Sequence, residues 1–160
     1  MTRQEMGIEI LILNLQNKIR PEKKYLEWVI KKTVKKNFPG FSPVEIGLVL
    51  VNNRQIREIN RYYRKVDRVT DVIAFPSSRN FNGSTPAKVI KLNRAYGGDI
   101  FISVEKARSQ AAEYGSTYKN EIALLLVHGI LHVFNYDHTR KKEAAEMERK
   151  ERETLKWLKT

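Results

Sequence analysis

Residues 117–134, TYKNEIALLLVHGILHVF, are apolar on most sides, because Ile122, Ala123, Leu124, Leu125, Leu126, Val127, Ile130 and Leu131 leave no continuous wet face. A helix of that kind must be covered all round by other elements. The segment therefore predicts a buried central helix with the rest of the chain arranged about it. It carries His128 and His132, and His138 follows soon after; the chain has 3 histidines, all in this stretch. Residues i and i+4 share a helix face, so His128 and His132 can hold one ion together. Asn135 tolerates the left-handed turn that ends many helices, which lets the chain fold back and bring His138 to the same ion. Three imidazoles leave one corner of a tetrahedral zinc open to water, as catalytic rather than structural sites do. A single histidine beside an apolar helix is ordinarily a packed, hydrogen-bonded side chain. Three together favour a bound metal, one zinc per chain, because imidazole suits that ion.

The elements expected around this helix alternate in type. GIEILIL (7–13) reads as a strand. Residues 21–37 read as a helix that opens at Pro21, with Leu26, Val29, Ile30 and Val34 at helical spacing and lysines on the wet side. VEIGLVLV (44–51) is a second strand, and Asn52 or Asn53 caps a helix running to about Tyr63. VTDVIAFPS (69–77) is a third strand, placed at an edge because Pro76 cannot donate to a ladder. Residues 78–95 form an irregular loop in which KVIKL can pair briefly as a hairpin arm. GGDIFIS (97–103) is a fourth strand, followed by a helix over 104–114, the central helix and a charged last helix over 140–159 capped by Thr139. The expectation is a single α+β domain over residues 1–160, with a small mixed sheet of about four strands packed against helices. The chain has 0 cysteines, which excludes disulfides and thiolate zinc sites. The apolar run near the start contains Glu9 and is too short for a signal peptide or a membrane span. A cytoplasmic location away from membranes follows as the expectation.

A surplus of 30 Lys+Arg over 18 Asp+Glu, net +12, favours polyanionic partners, nucleic acid first among them. The segment NRYYRKVDR gathers Arg61, Arg64 and Arg68 around Tyr62 and Tyr63, with Arg54 and Arg57 just before it. An arginine fork can hold two phosphate oxygens and stabilise developing charge, and a tyrosine such as Tyr63 can stack on an unpaired base. The plainer account of this segment is a solvated helix face. Asp99 and Asp137 are carboxylates that could orient a zinc-bound histidine from behind, or could hold a turn or cap a helix instead. The His-x3-His-x5-His spacing equals that of a group of zinc peptidases, but those need a glutamate beside the first histidine, and here that residue is Gly129. Glu121, two turns earlier on the same helix, could substitute only if the fold brings it round.

VHGILHVFNYDH, preceded by TDVIAFP and GGDIFIS and followed by the acidic EAAEMERKE helix, resembles the bacterial YbeY family of rRNA-maturation endoribonucleases. The family pattern is roughly HGxLHLxGYDH with TDVLSFP and GDI, and the similarity spans about residues 45–155. The resemblance implies a zinc-dependent, single-strand-specific endoribonuclease that matures the 3′ end of 16S rRNA and serves ribosome quality control. It implies zinc on His128, His132 and His138, and it points to Arg64 as the residue facing the scissile phosphate. An rRNA precursor would be the substrate, with small-subunit components and an assembly GTPase as partners. Ala74 stands where the family usually has Ser, and Asn135 stands where it usually has Gly. The loop 78–95 adds Arg79, Lys88, Lys91 and Arg94 in place of the acidic residues often found there. A metallopeptidase-like hydrolase, and a non-catalytic ribosome-assembly factor with a structural metal, are the competing readings.

Overall fold

The buried helix lies where its composition requires, against one face of a four-stranded sheet. The structure is a computed structural model that describes residues 7–39, 44–77, 95–134 and 141–159. In chain order the elements are β1 (Ile8–Asn14), α1 (Lys23–Asn37), β2 (Val44–Val51), α2 (Asn53–Arg64), β3 (Val72–Pro76), β4 (Ala95–Ser103), α3 (Val104–Glu113), α4 (Tyr118–Val133) and α5 (Lys141–Leu158). The sheet order is β1-β2-β4-β3; β1, β2 and β4 are mutually parallel and β3 runs antiparallel to β4. The fold is therefore the α+β arrangement expected, with a small mixed sheet.

The pleat of the central strands separates two cores. Ile46, Leu48 and Leu50 of β2, with Ile100 and Ile102 of β4 and Ala74 of β3, face α1, α4 and Met147 of α5. Val51, Ile73 and Phe75 face α2 through Ile56, with Val49, Phe101, Ile59 and Tyr63 packed at the margin. This burial on both faces is why VEIGLVLV is a nearly continuous apolar run rather than an alternating one. Helix α4 approaches β4 so closely that a Cβ on Gly129 would lie 2.8 Å from Cγ2 of Ile100. Glycine at this position lets the helix and the strand meet.

Local chemistry sets the element ends. Asn52 caps α2 in a capping box: its side chain accepts from Gln55 N at 2.9 Å, and Gln55 Oε1 accepts from Asn52 N at 2.8 Å. Strand β3 lies at the edge, with Pro76 its last residue. It begins at Val72 rather than at residue 69, because the Asp71 carboxylate accepts from Val72 N at 2.7 Å and from Gln110 Nε2 at 3.2 Å and holds a turn there. Helix α1 begins at Lys23, so Pro21 precedes the helix instead of opening it; Glu22 is the N-cap. Strand β4 starts two residues earlier than expected. The KVIKL segment, the basic loop residues, Asn135 and the Thr139 cap lie outside the described residues.

Candidate active site

Helix α4 presents His128 and His132 on one face near its C-terminal end, as the i,i+4 spacing requires. Their Nε2 atoms stand 3.0 Å apart. Two ligands on one tetrahedral zinc, each about 2.0–2.1 Å from the metal, sit about 3.3 Å from each other. The pair is thus spaced close to what a shared ion needs. The Nδ1 of His128 meets Glu151 Oε1 of α5 at 2.8 Å. A carboxylate there places the ring proton on Nδ1 and turns the Nε2 lone pair toward His132.

Glu151 is the site residue that the sequence reading missed. It lies 23 positions from His128, so no local motif joins the two. A signal was nonetheless available: Met147 and Thr154, both fully buried, bracket Glu151 on the inward stripe of α5. An acid on a buried stripe needs a partner. Asp99, expected behind a histidine, faces the other way. Ile100 packs under Gly129 of α4, and Asp99, its neighbour along β4, projects instead over Gly47 on the α2 side of the sheet. Asp137 and the third expected ligand, His138, lie outside the described residues. Among the described residues no group of three or more His, Cys, Asp or Glu is placed to hold a metal.

Glu121 does not come round to the histidines. It is buried at the start of α4, about 10 Å along the helix axis from His128. Desolvation, and secondarily the charge of Asp71, push its carboxyl above the usual range. A raised folded-state pKa means that the native protein holds this proton more tightly than the unfolded chain. Its contribution to stability is full below the unfolded carboxyl pKa and is lost as pH rises through the folded value. Glu121→Gln, which keeps the shape without the charge, is expected to flatten the fall in Tm between pH 5 and pH 8 measured by thermal melts. An unchanged fall would show that other groups cause it.

The arginine cluster divides into committed and uncommitted members. Arg57 pairs with Asp67 at 2.8 Å, and Arg54 with Glu58 at 3.5 Å. Arg64, the last residue of α2, has no ion pair or side-chain hydrogen bond among the described residues. Desolvation lowers its pKa from the ordinary value, yet a guanidinium stays charged in proteins. Its place follows from its neighbour. The Tyr63 ring packs edge-on against Phe75 at 5.3 Å, and Phe75 pairs with Asp99. Val133 of α4 lies against Gly98, the next pair along. The ends of α2 and α4 therefore reach the same end of edge strand β3 from opposite faces. Tyr63, expected to stack on a base, is occupied between Phe75 and Tyr62; Tyr62, 66% exposed, is the ring turned to solvent. Arg61 and Arg68 are exposed on this side, and the Arg68 carbonyl accepts from Asn60 Nδ2 at 3.0 Å.

Two imidazole nitrogens 3.0 Å apart and an Arg64 guanidinium with no ion pair or side-chain hydrogen bond among the described residues are chemistry that a hydrolase acting on an ester could use. Comparison with known proteins narrows the class. The family described as Endoribonuclease YbeY matches residues 11–159, and the chain belongs to that family of nucleases. An Endoribonuclease YbeY of Acetivibrio thermocellus is 35% identical over 94% of this chain and 97% of its own length. That of Acholeplasma laidlawii is 38% identical over 84% and 88%. A Thermotoga maritima protein whose structure was solved in solution superposes with a TM-score of 0.58 at 29% identity, covering 91% of this chain and 86% of its own.

Proposed function

We propose that the chain is a zinc-dependent, single-strand-specific endoribonuclease that trims the 3′ end of 16S rRNA and takes part in ribosome quality control. The observation that carries the metal part is the 3.0 Å approach of the His128 and His132 Nε2 atoms, with Glu151 anchoring the far nitrogen of one ring. His128, His132 and His138 are the ligands in this reading, and the first two fit the ion in spacing and donor type. Zinc, when bound, brings a coordinated water to a pKa of about 7 and polarises a phosphoryl oxygen. Arg64 binds the scissile phosphate through its fork and stabilises the charge that grows on it. Exposed Arg61, Arg68 and Tyr62 extend that contact along the strand. Duplex RNA would not follow this path, since stacking on Tyr62 needs an unpaired base. The whole chain, 1–160, serves as one catalytic domain working in the cytoplasm, and no helix among the described residues is long and apolar enough to cross a membrane. Small-subunit components and an assembly GTPase are the partners in this proposal.

The test is cleavage of an unstructured RNA by purified, metal-loaded protein, stopped by a chelator and restored by zinc. Arg64→Ala is expected to lower kcat by about 10²–10³, the usual cost of removing one donor to developing charge, with zinc content unchanged. RNA left intact by the loaded wild type overturns the proposal. Glu151→Gln keeps an acceptor for Nδ1 but removes the charge. Zinc affinity, read by competition with a chromophoric chelator, is expected to fall by about 10- to 100-fold. An affinity equal to wild type would remove Glu151 from the site.

A further inference from the structure

A second feature of the surface lies away from the histidines. A cleft of about 450 Å³ between α1 and the end of α5 is lined by Trp28, Lys31, Lys32, Lys35, Lys36 and Trp157. That volume is in the range of small-ligand sites, yet the lining contains four cations and no acid. Glu153, one of the acids near the end of α5, is paired with Arg149 at 3.0 Å. The two tryptophans are the only ones in the chain. They are 40% and 37% exposed, unusual for large rings that could have been buried. Lys32 Nζ lies 4.6 Å and Lys36 Nζ 5.6 Å from the centre of the Trp157 ring. Both ammonium groups lie over the indole in cation–π contact, so a phosphate drawn to them brings its nucleotide beside the ring.

Helical spacing builds the cleft. Trp28, Lys32 and Lys35 follow one stripe of α1, with Lys31 and Lys36 flanking it. The opposite stripe, Leu26, Val29, Ile30, Thr33 and Val34, is spent on the core. The lysines are thus not required by the packing of α1, and like charges this close repel one another without an anion. Cations alternating with aromatic faces are what binds a single strand without reading its sequence.

We propose that this cleft is an RNA-holding site separate from the catalytic residues, which grips a stretch of the single-stranded substrate outside the cleavage point. The proposal rests on the endoribonuclease reading for the identity of the polyanion. Trp157 lies about 9 Å along α5 from Glu151 and about 120° round the helix from it, so the cleft and the histidines lie on different sides of α5. The site adds affinity for long substrates and nothing for short ones, because a fragment that fills the catalytic end does not reach it.

Both tryptophans line the cleft, so indole emission reports on it without a label. Titrating oligouridylate of about 20 nucleotides into the metal-loaded protein should quench that emission saturably, at the midpoint found by anisotropy of the same RNA. Replacing Lys31, Lys32, Lys35 and Lys36 together by Gln should weaken binding of the long RNA by at least about tenfold and flatten the dependence of log K on log salt by up to about 3. Cleavage of a hexanucleotide by that variant should match wild type. Three results would overturn the proposal. The first is long RNA that binds and is cleaved with no change in indole emission. The second is a variant that binds it like wild type. The third is polyglutamate quenching where RNA does not, which would assign the cleft to an acidic protein. Failure of the endoribonuclease reading gives a different result: hexamer and long RNA both remain uncut while the quench is still measured.

Discussion

His128→Ala is expected to reduce RNA cleavage to background and to abolish the zinc binding proposed above. The variant loses one imidazole nitrogen of the 3.0 Å pair, and with it the means of holding an ion beside His132. Without the ion, water is no longer acidified and supplies almost no hydroxide at neutral pH. There is a second consequence. Glu151, whose side chain is 16% exposed, loses the ring nitrogen it meets at 2.8 Å. A largely buried acceptor left unmatched costs about 1–3 kcal/mol, so the variant should also melt earlier. The double variant His128→Ala with Glu151→Ala removes both halves of the contact. It should recover part of the lost stability in urea titrations and none of the activity. Activity regained together with stability would mean that the histidine serves the fold and that catalysis lies elsewhere.

Gly129→Glu has the largest expected effect on folding. It restores the glutamate that zinc peptidases of this histidine spacing require, and it should unfold the protein rather than change its chemistry. The reason is the 2.8 Å between the position of a Cβ at residue 129 and Cγ2 of Ile100, a fully buried, β-branched side chain with little room to turn. Gly129→Ala already overpacks the helix–sheet contact by about 1–3 kcal/mol, against about 1 kcal/mol returned by helix propensity. Glutamate adds a charge with no partner in an apolar layer, which takes the total beyond about 4 kcal/mol. The urea midpoint and near-UV circular dichroism of the two variants measure this. A folded Gly129→Glu protein that digests casein would disprove both the packing argument and the nuclease chemistry. The glycine beside the first histidine thus belongs to the architecture: position 129 faces the sheet, where no base could meet substrate.

The elements among the described residues were largely legible because each carries a strong local signal. The capping box of Asn52 and Gln55, the proline at the edge of β3 and the periodicity of α1 are short-range chemistry, and short-range chemistry is written in consecutive residues. The three-residue error at the start of β3 occurs where a side chain, that of Asp71, competes with the backbone for hydrogen bonds. Within the site, the His128–His132 pair followed from helical geometry alone. Three other placements did not. Glu151 arrives from a different helix, α5, Asp99 is turned away by the pleat, and Tyr63 rather than Tyr62 is spent on packing. Each depends on which face of one element meets which face of another.

By itself, then, the sequence determined the kind of elements, the buried helix with its two imidazoles on one face, and the cationic surplus that selects a polyanion. Tertiary structure alone decided which carboxylate stands behind His128, that Arg57 is committed to Asp67, and that two tryptophans distant in the chain border one lysine-lined cleft. The physical reason is range. Helix periodicity and capping act over about four residues, whereas a carboxylate behind an imidazole is a contact between helices, whose crossing is set by the packing of whole side-chain layers.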